Sequence, residues 1–335
     1  MTRIAVLDDW QGVAPGSADW SKLGERAEVA FFSEAFADED AAAAKLADFE
    51  IMLTMRERTP LPASLIQRLP QLRMLGITGA KNASLDVPAC TARGVVVCNT
   101  TGSPAGLAAP AELALGLLLS VARAIPTGDA SIRAGRFQED ARVGITLAGK
   151  TLGVIGLGRL GSLMAGYGRA LGMNVIAWSQ NLTAEAAAAA GAELVGKDEL
   201  LARSDAVSLH LVLSPRSRHT IGAAEIARMK PGAILINTSR GPLIDEAALI
   251  AALQDRRIFA GLDVFDREPL AADNILRGAP NTVLTPHLGY VVVETMRRFY
   301  AQSVENALAF IEGKPVRVVN PEVLLLSPQD AGRGE

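Results

Sequence analysis

Three polar segments in the second half of the chain each follow a predicted strand and carry residues able to do chemistry. They are 236–241 (Ile-Asn-Thr-Ser-Arg-Gly), 261–269 (Gly-Leu-Asp-Val-Phe-Asp-Arg-Glu-Pro) and 284–289 (Leu-Thr-Pro-His-Leu-Gly). In open α/β sheets that carboxyl edge is where ligands bind. Arg240 offers a planar fork that holds a carboxylate bidentately and can polarise a carbonyl oxygen beside it. His287 is one of three histidines, with His210 and His219, and lies in a Pro-His-x-Gly loop. A positioned imidazole can give or take a proton near neutral pH, which is typically worth roughly 10²–10⁴-fold in rate. Glu268 is a carboxylate that could orient such a ring. Singly, an Arg at a strand end is most often a surface charge and a lone His a structural one. His219, in the charged run 216–219, is expected at the surface.

Upstream lies Gly156-Leu157-Gly158-Arg159-Leu160-Gly161. A lone G-x-G-x-x-G is weak, because glycine is common. Here an apolar strand, 151–155, runs directly into it, a helix is predicted over 160–171, and a second strand over 174–178 completes a βαβ unit. Gly156 allows the tight turn, Gly158 lets backbone N–H groups approach a pyrophosphate, and Gly161 permits close helix–strand packing. The helix N-terminus adds positive partial charge. A dinucleotide is the ligand this pattern predicts. The carboxylate that usually reads the ribose about 20 residues on is missing, since the strand ends Trp178-Ser179-Gln180-Asn181. Ser179 and Gln180 neither bind a 2′-hydroxyl strongly nor repel a 2′-phosphate, and Arg159 could swing towards one. NAD and NADP both stay open, with the balance slightly towards tolerance of NADP.

Short β-branched runs alternate with Ala- and Leu-rich stretches along most of the chain, the pattern of a parallel α/β sheet. Strands are predicted at 4–7, 29–32, 51–54, 74–77 and 95–98, with helices such as 38–46 and 62–68 between them. The turn-rich stretch 99–104 leads into a long helix at about 109–123, which suits either a buried amphipathic helix or a connector crossing between domains. A second unit begins at Lys150, with strands at 151–155, 174–178, 206–210, 233–237, 259–263 and 282–284. The run 184–190 reads as an Ala-rich helix ended by Gly191. A last helix, about 294–312, could return the chain to the first unit.

With these segments in order after the Gly-rich turn, the chain resembles the D-isomer-specific 2-hydroxyacid dehydrogenases, of phosphoglycerate and glyoxylate–hydroxypyruvate type. The strand ending in Arg-Gly, Asp-Val-Phe-x-x-Glu-Pro and Thr-Pro-His-x-Gly are specific together, and the resemblance covers nearly the whole chain. It implies two Rossmann-like doubly wound parallel-sheet domains with a cleft between them. The substrate domain would be discontinuous, 1–101 plus 295–335, and the dinucleotide domain 102–294. It further implies catalytic Arg240, Glu268 and His287, with Arg240 holding the substrate carboxylate and carbonyl, His287 as general acid/base and Glu268 orienting it. Asp263 should accept a hydrogen bond from the nicotinamide carboxamide, although an Asp here could merely cap a loop. His210, Leu211, Thr238 and Gly289 should line the nicotinamide side. The loop 78–84 corresponds to the family's substrate loop, with Gly79, Ala80, Lys81 and Asn82 as candidate contacts. Many members have a Gly-Val-Gly-Val-Asp-like sequence there, so Lys81 and Asn82 are departures. A homodimer is implied as well.

The 335 residues are 49% hydrophobic and 21% charged, which suits two globular domains. A net charge of −3 without a basic block argues against nucleic acid. The longest apolar run, 113–122, is about half of what a membrane span requires. The acidic pair Asp8-Asp9 interrupts the N-terminal apolar run too early for a signal peptide. Cys90 and Cys98 read as reduced thiols, and no metal cluster is apparent. A cytoplasmic enzyme acting on a small 2-keto or 2-hydroxy acid follows as the expectation. The alternatives are an NAD(H)-sensing binding protein of the corepressor type and a phosphite dehydrogenase. Formate oxidation is disfavoured because that branch has Gln in place of Glu268. With the sequence ending at residue 335, a C-terminal regulatory module like that of long phosphoglycerate dehydrogenases is not expected.

Overall fold

The computed structural model describes residues 1–139 and 142–325, which form two parallel sheets of five and seven strands with helices between them. The polypeptide divides into two units, Met1–Leu107 with the chain from Val292 onward, and Ala108–Val291. Residues 326–335, placed by the sequence in the substrate domain, lie outside the described residues.

The first unit contains β1 (Thr2–Val6), α1 (Ala14–Ser17), β2 (Ala27–Phe31), α2 (Glu39–Leu46), β3 (Ile51–Thr54), α3 (Ala63–Gln67), β4 (Met74–Ile77), α4 (Val87–Ala92) and β5 (Val96–Asn99). Its strand order is β2-β1-β3-β4-β5, all parallel. This is the flavodoxin-like variant of the doubly wound sheet, with its switch point between β1 and β3. Strands β3 and β4 are buried along their whole length, so both read as unbroken apolar runs rather than alternating ones. Asp38 caps α2 through Ala41 N–H, and Asp86 caps α4 through Ala89 N–H. A C-terminal helix, Val293–Ile311, belongs to this unit. Its Gln302 accepts from Thr101 N–H at 2.7 Å, and its Asn306 donates to Asn99 O at 2.9 Å. Beyond it, Asn320 Oδ1 accepts from Val97 N–H at 2.8 Å, satisfying the outer edge of β5.

The second unit contains α5 (Ala109–Arg123), α6 (Ile125–Arg133), β6 (Thr151–Ile155), α7 (Arg159–Ala170), β7 (Asn174–Trp178), α8 (Ala184–Ala189) and β8 (Glu193–Leu194). It continues with α9 (Lys197–Arg203), β9 (Ala206–Leu209), α10 (Ala223–Arg228), β10 (Ile234–Asn237), α11 (Glu246–Gln254), β11 (Phe259–Leu262) and β12 (Thr282–Leu284). The order β12-β11-β10-β9-β6-β7-β8 is the Rossmann arrangement with one further strand, and the switch point lies between β6 and β9. Helix α5 falls in this unit. It buries Ala114, Leu117, Leu118 and Val121 against the sheet, and each buried Leu contributes about 1.5–3 kcal/mol. Gly261 on β11 makes that approach possible, because a Cβ there would lie 2.8 Å from Ile236 Cδ1 and 3.0 Å from Leu117 Cβ. No single described helix is long and apolar enough to cross a membrane. Helices α5 and α6 reach that length and apolarity only when taken together, and the chain bends by 65° between them.

At the switch point of the first sheet, Asp8 is 2% exposed and holds a left-handed backbone, φ +62°. Its Oδ1 accepts from Thr59 Oγ1 at 2.9 Å, while Oδ2 is buried without a hydrogen-bond partner. Burial pushes this carboxyl up to about 6. Between the ordinary carboxylate range and pH 6 the folded chain holds a proton that the unfolded chain has released. The contribution of Asp8 to stability is therefore fully present in acid and falls as pH rises through 6. Asp8→Asn should raise stability at pH 8 by about 1–3 kcal/mol relative to the parent, and by much less near pH 4.5. Urea midpoints at the two pH values check this, and an equal effect at both would contradict it.

Candidate active site

Strand β6 runs into Gly156, whose φ of +95° suits glycine. A Cβ there would lie 2.6 Å from His210 O, so the turn packs directly on the backbone that follows β9. At Gly161 a Cβ would meet Gly156 O at 2.0 Å, whereas nothing lies within 4 Å of a Cβ at Gly158. The turn is thus closed on its sheet side and open above Gly158. Gly158 is the N-cap of α7 and makes no side-chain capping bond, which leaves the N–H groups of the first turn, beginning at Arg159 and Leu160, for a ligand. Gly168 brings the same helix onto β6, since its Cβ would lie 2.6 Å from Leu152 Cδ2. Gly156 N–H donates to Trp178 O at 2.8 Å, and Leu157 N–H reaches Ser179 Oγ at 3.5 Å. Ser179 therefore stands beside the turn, with Gln180 exposed next to it. The cradle fits a dinucleotide pyrophosphate by shape and by its backbone donors.

Across the switch point, Leu211 Cδ2 lies 3.0 Å from where a Gly156 Cβ would be. His210 Nε2 is 2.9 Å from Ser208 Oγ, and its Nδ1 is buried without a hydrogen-bond partner. Burial pushes this imidazole down to about 4, so the ring is neutral at ordinary pH. His219 is exposed.

At the end of β11, Asp263 has no exposed surface. Its Oδ1 accepts from Thr285 Oγ1 at 2.6 Å and Leu288 N–H at 2.7 Å, and its Oδ2 accepts from Gly289 N–H at 2.8 Å. The backbone carbonyl of Asp263 accepts from His287 N–H at 2.8 Å. Burial raises the carboxyl above its usual range, while these donors and the nearby His287 pull it back. Asp263 thus clamps the 285–289 loop, a role broader than the single ligand contact the resemblance implies.

The clamp sets His287 in a left-handed backbone, φ +54°. Its Nδ1 lies 2.5 Å from Glu268 Oε2, and Glu268 Oε1 accepts from Phe265 N–H at 2.9 Å. Both side chains are partly exposed, 25% and 32%. Among the described residues Nε2 of His287 has no hydrogen-bond partner, so this nitrogen is available to a substrate. The ring of Tyr290 stands edge-on to His287 at 5.6 Å.

Arg240 follows β10. Buried Asn237 holds its backbone, donating from Nδ2 to Arg240 O at 2.8 Å and accepting from Ser239 N–H at 3.0 Å. Ser239 Oγ donates to Leu209 O at 2.8 Å, and Arg240 Nη1 donates to Ser239 O at 2.7 Å. A Cβ on Gly241 would lie 2.1 Å from Phe265 C, so the segment after Arg240 abuts the residue whose N–H anchors Glu268. Asn237 and Phe265 were not singled out from the sequence. Their signal is a buried amide at a strand end and a backbone N–H, and neither has a distinctive pattern. Thr238 is almost buried and reaches Pro110 O at 3.4 Å.

In the first unit the loop after β4 has its own architecture. Gly79, φ +87°, donates its N–H to Thr100 Oγ1 at 2.9 Å, so that group is already engaged. A Cβ there would meet Arg56 Nη1 at 1.9 Å, which places the Arg56 guanidinium across the loop. Asn82 is buried, donates to Arg56 O at 2.8 Å and accepts from Ser84 N–H at 2.9 Å. Ala80 and Lys81 are exposed. Of the two departures in this loop, Asn82 is a structural clip and Lys81 is the one open to a ligand. Arg56 was missed in the sequence, although an Arg-x-Arg directly after β3 marks the switch-point edge. Among the described residues, no group of three His, Cys, Asp or Glu side chains could hold a metal.

Comparison with known proteins identifies the family. Residues 115–289 match the family model described as D-isomer specific 2-hydroxyacid dehydrogenase, NAD binding domain. A D-3-phosphoglycerate dehydrogenase of Methanocaldococcus jannaschii is 40% identical over 76% of this chain and 48% of its own. A glyoxylate reductase of Thermococcus litoralis is 38% identical over 79% of this chain and 82% of its own. The crystal structure of a phosphoglycerate oxidoreductase from Vibrio cholerae superposes with a TM-score of 0.87 at 34% identity, covering 93% of this chain and all of that one. The chain thus spans about half the length of the phosphoglycerate dehydrogenase and most of the glyoxylate reductase. It belongs to the D-isomer specific 2-hydroxyacid dehydrogenase family and carries that family's NAD binding domain.

Proposed function

We propose that the chain is an NAD(P)-dependent D-2-hydroxyacid dehydrogenase that interconverts 2-keto acids and D-2-hydroxy acids. The observation that carries this reading is the Glu268–His287 pair, anchored at one end by Phe265 N–H and open at the other through Nε2. The bound nicotinamide supplies the hydride in reduction and accepts it in oxidation. Arg240 holds the substrate carboxylate with its fork and polarises the keto oxygen. His287 gives a proton from Nε2 to that oxygen as it becomes a hydroxyl, and takes it back in the reverse direction. Glu268 keeps a proton on Nδ1 and fixes the ring plane, so Nε2 is the working nitrogen. The Gly156–Gly161 turn takes the pyrophosphate, with His210, Leu211, Thr238, Asp263 and Gly289 assigned to the nicotinamide side. Asp263 retains acceptor capacity on Oδ2 beyond its bond to Gly289.

The unit that begins at Met1 is assigned the substrate side. Within it, Lys81 and the Ala80 and Lys81 backbone are the groups that suit an acidic substrate, with Gly79 and Asn82 shaping the loop. A homodimer suits the exposed apolar side chains Ile125, Ile132 and Phe137 on and after α6. A cytoplasmic setting suits the free, buried thiols of Cys90 and Cys98.

Purified chain should oxidise NADH or NADPH in the presence of at least one of glyoxylate, hydroxypyruvate and 3-phosphohydroxypyruvate. Silence across that panel from protein shown to bind dinucleotide would sink the enzyme reading and leave a dinucleotide-sensing binding protein. His287→Gln should lower kcat/KM by roughly 10²–10⁴-fold with cofactor affinity retained, because it removes only the proton donor. Lys81→Ala should raise KM for the acidic substrate by about tenfold at most, with kcat little changed. A kcat loss equal to that of His287→Gln would remove Lys81 from the role of simple anion contact.

A further inference from the structure

We infer that Gln302 and Asn306 on the C-terminal helix, together with Asn99 at the end of β5, are positioning residues for the loop 78–82. They hold its backbone in the shape that meets the substrate carboxylate. This rests on the assignment of that loop to the substrate, made above, and names the side chains that set its conformation.

The helix Val293–Ile311 buries Phe299, Val304 and Ala307 as an amphipathic helix should. It also buries two amides, Gln302 at 4% and Asn306 at 0% exposure. A buried amide costs free energy unless it is hydrogen-bonded. Gln302 Oε1 accepts from Thr101 N–H at 2.7 Å, and its Nε2 donates to Thr101 Oγ1 at 3.1 Å. Asn306 Nδ2 donates to Asn99 O at 2.9 Å, and its Oδ1 accepts from Arg317 Nε at 2.9 Å. The Arg317 guanidinium is held in turn by Glu305 at 2.8 Å. Four helical residues rise about 6 Å, and two residues of extended chain cover about 6.6 Å. A helix running opposite to the chain that leaves β5 can therefore meet residues 101 and 99 with residues 302 and 306. An apolar side chain at either helix position would bury equally well. An amide also fixes which backbone group it meets.

The residues so pinned hold the loop. Thr100 has no exposed surface, and its Oγ1 accepts from Gly79 N–H at 2.9 Å. Asn99 Nδ2 donates to Ala80 O at 3.3 Å. The N–H of Gly79 and the carbonyl of Ala80 are thus turned towards 99–100. Among the described residues the N–H groups of Ala80 and Lys81 make no hydrogen bond, which leaves them as donors for an anion. A chain of bonds runs from the C-terminal helix through 99–101 to these two donors, wholly inside the first unit.

The test compares the full chain with Gln302→Met, Asn99→Ala and Val304→Ala, the last a packing control on the same helix. The readouts are hydrogen exchange of the 78–82 amides without ligand, steady-state kinetics with the keto acid that the parent reduces, and NADH titration. Gln302→Met and Asn99→Ala should speed exchange in the loop about tenfold or more. They should raise KM for the keto acid about fivefold or more, with kcat within about twofold and NADH affinity retained. Val304→Ala should lower the melting temperature while loop exchange and KM stay within about twofold of the parent. Asn99→Ala leaves both buried amides in place, so it reads the loop even where Gln302→Met does not fold. Unchanged loop exchange in the amide variants, or a KM rise as large in Val304→Ala, would overturn the inference. Faster exchange with an unchanged KM would overturn the substrate assignment of the loop on which it rests.

Discussion

Asp263 is a carboxylate without exposed surface at the end of β11, and the working loop hangs from it. Its two oxygens take Thr285 Oγ1, Leu288 N–H and Gly289 N–H, and its backbone carbonyl takes His287 N–H. A buried charge is costly unless its lone pairs are satisfied, so these bonds are mutually required. The loop needs the carboxylate to hold His287 at positive φ, and the carboxylate needs the loop's donors to remain buried. Glu268 then meets a ring already placed, and Phe265 N–H fixes Glu268 in turn. Arg240 is tied to the same framework by the contact of Gly241 with Phe265. Each catalytic candidate is therefore held by buried side chains and backbone groups around it, Asp263 for His287, Asn237 for Arg240 and Phe265 N–H for Glu268, which is what positional accuracy at a reacting centre demands.

Much of the fold was legible because both sheets are parallel and buried on both faces. Strands β3, β4, β6, β7 and β12 coincide with the predicted runs, and β3 and β4, buried along their whole length, are apolar almost from end to end. Ends that project from the sheet shifted by one or two residues, as at β1 and β5. Strand β8 was not anticipated, because two residues at an exposed edge carry no periodic signal. Helix α5 was legible as a helix, and the dinucleotide domain expected at 102–294 already contained it, but the surface it packs on was not legible. Its apolar face says that it is buried, and the glycine that receives it lies more than a hundred residues downstream.

Within the candidate site, glycines and the His–Glu pair were readable because sterics and charge select particular residue types there. The side-chain amides were not. Asn82 and Asn237 look like loop polars in sequence, yet both are buried clips whose partners are backbone groups. A backbone partner leaves no mark on the amino-acid pattern. The same blindness hid the bond from Gly79 N–H to Thr100, which removes a group that the loop sequence alone would have offered to a ligand.

The first unit is interrupted by the second, and its closing contacts are very distant along the chain. Gln302 meets Thr101, Asn306 meets Asn99 and Asn320 meets Val97, across 201, 207 and 223 residues. A ribosome makes the whole of 108–291 before the segment that completes β5 exists. The second unit, contiguous in sequence, can fold as it emerges, whereas the first must wait with the outer edge of a parallel sheet unsealed. Biosynthesis thus inverts the usual order, and the N-terminal unit is the last to be finished.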